Sequence, residues 1–75
     1  MSKLPVLSYK KLIKVLTKLG FTPRRQSGSH IVLTRKEPKY MAVSVPKHKE
    51  IKKGTLRAIL NQIDLDVDEL NELMK

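Results

Sequence analysis

Seventy-five residues carry sixteen Lys and Arg against seven Asp and Glu, a formal net charge of +9 with a pI near 10.1, the footprint of a polyanion binder. A chain of this length buries only about 60% of its unfolded surface, so residues 1–75 read as a single domain with no room for a second core. The absence of cysteine excludes a disulfide framework and thiolate metal ligation and fits a reducing compartment, with the cytoplasm as the expected location.

Met1 to Leu7 reads as a short lead without the apolar centre of a signal peptide, and Val6 and Leu7 are placed to staple onto the helix that follows. Ser8 is a good N-cap. After it Leu12, Ile13, Leu16 and Leu19 recur at helical spacing, while Lys10, Lys11, Lys14 and Lys18 fall on other faces. Residues 8–19 therefore read as an amphipathic helix with a solvated basic face, closed by Gly20 as the residue after the cap.

From Phe21 the period changes to two. Phe21–Gln26 contains Pro23, which demotes it to an edge or first strand. Ser29–Arg35 sets Ile31 and Leu33 against His30, Val32 and Thr34, and Tyr40–Val45 sets Met41, Val43 and Val45 against Tyr40, Ala42 and Ser44. Lys36–Lys39 is a short turn, so these strands are expected to be antiparallel neighbours. In that register His30 points away from Ile31 and Leu33, onto the uncovered face of the sheet.

Pro46 is expected to stop the third strand, and Lys47–Lys53 reads as a basic loop. A helix with Leu56, Ile59, Leu60 and Ile63 on one face follows, its start expected near Gly54-Thr55. Free N–H groups there, preceded by Lys49, Lys52 and Lys53, offer a phosphate site. Asp66 with Glu69 forms a capping-box start for a last short helix bearing Val67, Leu70, Leu73 and Met74. Longer than four residues there is no apolar run, against about 20 for a bilayer span, so no membrane association is expected.

The pattern is α+β, in the order α-β-β-β-α with a terminal α: a three-stranded antiparallel sheet with helices on one face, as in a double-stranded-RNA-binding domain. Charge is distributed unevenly along it. Residues 1–63 hold fifteen basic and two acidic side chains, +13, and residues 64–75 one Lys and five carboxylates, −4. Nucleic acid is expected to meet the former.

The turn Arg25-Gln26-Ser27-Gly28-Ser29-His30 carries the chemistry. Gly28 lets the backbone reverse, Ser27 and Ser29 can bind backbone or phosphate, and an imidazole can take up and return a proton near neutral pH. RNA supplies its own nucleophile, the 2′-OH, so a protein need only move protons and stabilise charge on the phosphate. His30 is the candidate acid/base. Candidates for gripping phosphate are Arg24, Arg25, Ser29, Lys47, His48, Lys49, Lys52 and Lys53.

Four stretches resemble the HicA toxins, small YcfA-like mRNA interferases: Lys18-Leu19-Gly20-Phe21, Arg25-Gln26-Ser27-Gly28-Ser29-His30, Val43-Ser44-Val45-Pro46-Lys47-His48, and Gly54-Thr55-Leu56-Arg57-Ala58-Ile59-Leu60. The resemblance implies a double-stranded-RNA-binding-like fold and the toxin of a type II toxin–antitoxin system, an endoribonuclease that cleaves mRNA without metal or small-molecule cofactor. It also implies neutralisation by a HicB-type antitoxin. The family's catalytic histidine falls on His30. A second histidine at the position of His48 is usual in the family, with a less defined role. Ile31 stands where relatives often carry an aromatic or polar residue.

Plainer readings stand beside these. His30 can be an ordinary exposed strand histidine, His48 a solvated charge or helix cap, and the whole chain a non-catalytic RNA-binding module of the same fold. Two histidines and no cysteine fall below the three or four ligands of a zinc site. Asp64–Glu69 lacks the glycine of a calcium loop, and helix capping accounts for its carboxylates. A DNA-binding repressor is disfavoured, because no helix-turn-helix spacing is present.

Overall fold

The computed structural model describes residues 3–75, so the first two residues of the lead lie outside it. The elements are α1 (Tyr9–Lys18), β1 (Thr22–Ser27), β2 (His30–Arg35), β3 (Met41–Pro46), α2 (Lys53–Gln62) and α3 (Val67–Leu73). This is the α+β order expected from the patterning.

All three helices start in the same way. The residue before each N-cap and the fourth residue of each helix form the pairs Leu7/Leu12, Ile51/Leu56 and Leu65/Leu70, the positions of a hydrophobic staple. Five of these six are buried and Leu65 is half-buried. Val6, expected to share the staple at α1, instead stands 64% exposed, because Leu7 alone turns inward. Polar capping differs between the helices. Ser8 Oγ accepts the Lys11 N–H at α1, Asp66 and Glu69 form a complete capping box at α3, and no side chain caps α2.

The start of α2 corrects the expectation of a cap at Gly54-Thr55. Lys52 is the N-cap, in an extended conformation, and its carbonyl already accepts the Leu56 N–H at 2.9 Å. Burying Ile51 against the core starts the helix two to three residues earlier than the Gly-Thr pair suggests. A fully buried aliphatic side chain contributes about 1.5–3 kcal/mol, more than the roughly 1 kcal/mol of a polar cap.

Two helices end in the same hydrogen-bonded motif. After α1 the Phe21 N–H donates to Leu16 O and the Gly20 N–H to Thr17 O; after α2 the Leu65 N–H donates to Leu60 O and the Asp64 N–H to Asn61 O. These are Schellman pairs, which require a left-handed residue just past the cap. Gly20 supplies it at φ +95 and Asp64 at φ 57.

The strands form one antiparallel sheet in the order β1-β2-β3, a meander. Each strand is offset slightly from its expected span, and Pro46 is the last paired residue of β3 instead of standing outside it. An edge strand tolerates a proline, whose missing N–H costs no ladder bond on the open side. Leu33, Val43 and Val45 are buried in one cluster with Leu12, Val15 and Leu16 of α1, Leu56, Ile59 and Leu60 of α2, and Leu70 of α3. Helices thus cover one face. On the other lie Val32, Thr34, Ala42 and Ser44, half-buried or exposed.

One arginine is withdrawn from the outer surface. The Arg35 guanidinium lies 4.7 Å from the centroid of the buried Phe21 ring and donates to Leu19 O at 3.2 Å. It braces the end of the sheet remote from His30.

Candidate active site

The β1–β2 connection is a two-residue turn, Gly28-Ser29, with Gly28 at φ +53, a conformation that other residues adopt only under strain. It delivers His30 as the first residue of β2. There the ladder pairs His30 with Ser27 of β1 on one side and with Pro46 of β3 on the other. The ring is exposed, and its Nδ1 lies 3.3 Å from Ser29 Oγ. Since the serine hydroxyl can accept from an Nδ1–H, this contact leaves Nε2 as the nitrogen facing solvent.

Backbone hydrogen bonds then gather the basic loop around this turn. The Lys47 N–H donates to Ser29 O at 2.7 Å, and the His48 N–H closes a tight bend on Pro46 O at 2.9 Å. His48 O in turn accepts the Tyr9 N–H at 3.1 Å, and the Ile51 N–H donates to Leu7 O at 2.8 Å. The hairpin turn, the loop 47–52 and the start of α1 are therefore one connected backbone unit, anchored by the buried side chains of Leu7 and Ile51. These backbone bonds give the exposed cationic side chains of the loop a fixed base.

Of the residues singled out in the sequence, Ser29, His30, Lys47 and His48 come together directly. Lys49 follows in the same loop. Lys52 caps α2 and Lys53 opens it, both exposed. Arg25 pairs with Val32 on the face that carries His30, two residues along the strand, or about 7 Å. Arg24 is not brought to this group. It occupies a bulge in β1, between Pro23 and Arg25, and its Nε donates to Thr34 Oγ1 at 3.1 Å, four residues along β2 from His30.

The acidic C-terminal segment stands apart. Asp64 follows the far end of α2, whose ten residues span about 15 Å from Lys53. Within the loop 47–52 a single carboxylate, Glu50, stands among Lys47, Lys49 and Lys52, so the charge beside His30 remains positive. Among the described residues the one ion pair between side chains is Lys75–Glu72, within the C-terminal segment itself. Among the described residues, no three His, Cys, Asp or Glu side chains converge as metal ligands, and no helix is long and apolar enough to cross a membrane.

Ser27, read in the sequence as a turn residue able to bind backbone or phosphate, lies opposite His30 in the ladder. One participant leaves no trace in side-chain patterning: Tyr9 holds the loop through its backbone N–H, a bond between main-chain atoms.

Chemically, the arrangement presents an exposed imidazole, oriented by a hydroxyl, at the edge of a surface rich in lysine. Such a ring can take a proton from or give one to a hydroxyl oxygen, and the lysines can attract an anionic group electrostatically. A family model described as "HicA toxin of bacterial toxin-antitoxin" matches residues 9–65, from the first residue of α1 through Leu65 after α2. The matched span includes the turn, His30 and the whole basic loop. No curated protein matches the chain.

Proposed function

This chain belongs to the HicA toxin family of bacterial toxin–antitoxin systems, and we propose from that premise that it is an endoribonuclease that cuts mRNA without a metal ion. An antitoxin partner follows from membership. In this reading residues 1–75 act as one cytoplasmic unit and the antitoxin is of HicB type. Its carboxylates would compete with RNA for the basic surface and cover His30.

Cleavage would proceed by attack of a ribose 2′-oxygen on the adjacent phosphorus, with departure of the 5′-oxygen. His30 serves as the acid/base. Arg25, Lys47, Lys49, Lys52 and Lys53 attract and steady the phosphates, an electrostatic contribution that falls as salt rises. The observation that carries the reading is the exposed His30 ring beside Ser29 Oγ, joined by backbone to a loop of lysines.

The test is incubation of the purified protein with a long mRNA in excess EDTA, alongside His30→Ala. The substitution should reduce the cleavage rate by about 10²–10⁴-fold while RNA binding persists. Binding by both proteins with cleavage by neither would instead identify a non-catalytic RNA-binding module.

A further inference from the structure

Transesterification of RNA makes two demands at once. A proton must leave the 2′-OH as its oxygen bonds to phosphorus, and a proton must reach the 5′-oxygen as its bond to phosphorus breaks. The two oxygens lie on opposite sides of the phosphorus, so one imidazole cannot attend to both in a single step. The chain contains two histidines. Lysine ammonium groups and carboxylates are poorly matched to proton transfer at neutral pH.

Resting on the nuclease reading above, we infer that His48 is the second proton-transfer group: His30 takes the proton from the 2′-OH, and protonated His48 gives one to the departing 5′-oxygen. Atoms balance without water or a co-reactant. The products are a 2′,3′-cyclic phosphate and a 5′-hydroxyl, and the two histidines exchange protonation states.

Three observations support this pairing. His30 is laddered to Pro46, only two residues before His48, and the intervening Lys47 N–H is bonded to Ser29 O, so the backbones that carry the two rings are locked together. The backbone of His48 is fixed from both sides, its N–H on Pro46 O and its carbonyl under the Tyr9 N–H. Finally, its ring is exposed and makes no hydrogen bond to a described residue, in contrast to the His30 ring with its Ser29 contact. A side chain with no structural duty on a main chain this constrained is what a catalytic residue needs. The same contrast assigns the roles. The Ser29 hydroxyl can hold Nδ1–H of His30 and leave Nε2 as a free lone pair, the form of a base.

The experiment uses two RNA oligonucleotides of one sequence, the second with sulfur in place of the 5′-bridging oxygen at the cleaved position. A thiolate leaves without protonation, so this substrate dispenses with the acid but not with the base. On the ordinary RNA, His48→Ala should be slower than the native protein by about 10²–10⁴-fold, and on the sulfur substrate it should recover to within about tenfold. His30→Ala should stay slow on both. His48→Asn, which retains a polar side chain, should behave like His48→Ala. Since the bonds made at position 48 are all main-chain, both variants should melt at the native temperature.

Undiminished cleavage of ordinary RNA by His48→Ala would overturn the inference while leaving the nuclease reading intact. Equal impairment of His48→Ala on both substrates, or recovery of His30→Ala in its place, would also overturn it. If the native protein cleaves neither RNA, the nuclease reading fails and this inference with it.

Discussion

The starts of α2 and α3 share one device and differ in another. Each is stapled by an apolar pair, Ile51/Leu56 and Leu65/Leu70. At α3 two carboxylates complete a reciprocal cap, whereas at α2 the corresponding position is Lys52 and no side chain accepts from the first turn. Apolar packing is therefore sufficient to begin a helix here, and the polar cap is separable from it. At α3 the cap is used for stability. At α2, inside the segment matched by the family model, the first-turn amides have no side-chain acceptor and lie next to Lys49, Lys52 and Lys53, the arrangement that the proposed function uses for phosphate.

The comparison breaks first at the staples. Leu56→Ala and Leu70→Ala each empty a fully buried position and should destabilise the fold by about 2–5 kcal/mol, measured by urea denaturation. A loss below about 1 kcal/mol at Leu56 would mean that α2 does not depend on its apolar pair. Next, Lys52→Asp gives α2 the N-cap acceptor that α3 has in Asp66, without the reciprocal carboxylate, since Thr55 stands where α3 has Glu69. It should raise stability by about 1 kcal/mol and lower the salt dependence of RNA binding by about one phosphate contact. The outcome that contradicts this is lower stability with unchanged RNA affinity.

The smallest effect lies at the helix exits. Asp64 occupies at φ 57 the left-handed position that Gly20 fills at φ +95. Asp64→Gly should therefore stabilise by a few tenths of a kcal/mol, up to about 1, less than a β-branched residue would regain, because Asp tolerates this region. A raised melting temperature supports it, and a lowered one shows that the aspartate contributes something the backbone does not require.

Much of this architecture is legible in the sequence, for identifiable reasons. Ser8, Gly20 and the Asp66/Glu69 pair are local signals with local outcomes, and each is found where it was read. Period-two alternation places His30 on the uncovered face, because one shift in register would have exposed Leu33 and Val43. The start of α2 is less legible because its decisive residue, Ile51, is a lone apolar side chain in a run of lysines, while Gly54-Thr55 imitates a cap. Adjacency in the sequence makes Arg24 and Arg25 look equivalent as phosphate ligands. The bulge in β1 separates them along the sheet, tying Arg24 to Thr34, four residues from His30 on β2, and setting Arg25 opposite Val32, two residues from it. The convergence of His48 with the His30 turn depends on ladder register and main-chain bonds, which adjacent side chains do not record.

Strand β1 has a free outer margin, and all six of its residues are exposed. Bare margins of this kind ordinarily recruit further chains into growing sheets, the first step towards insoluble deposits. Here Pro23 offers no N–H and the kink at Arg24 spoils the spacing, while two neighbouring guanidinium groups repel an identical molecule. The strand that leads into the His30 turn is thereby a poor template for self-association, although no described element covers that edge.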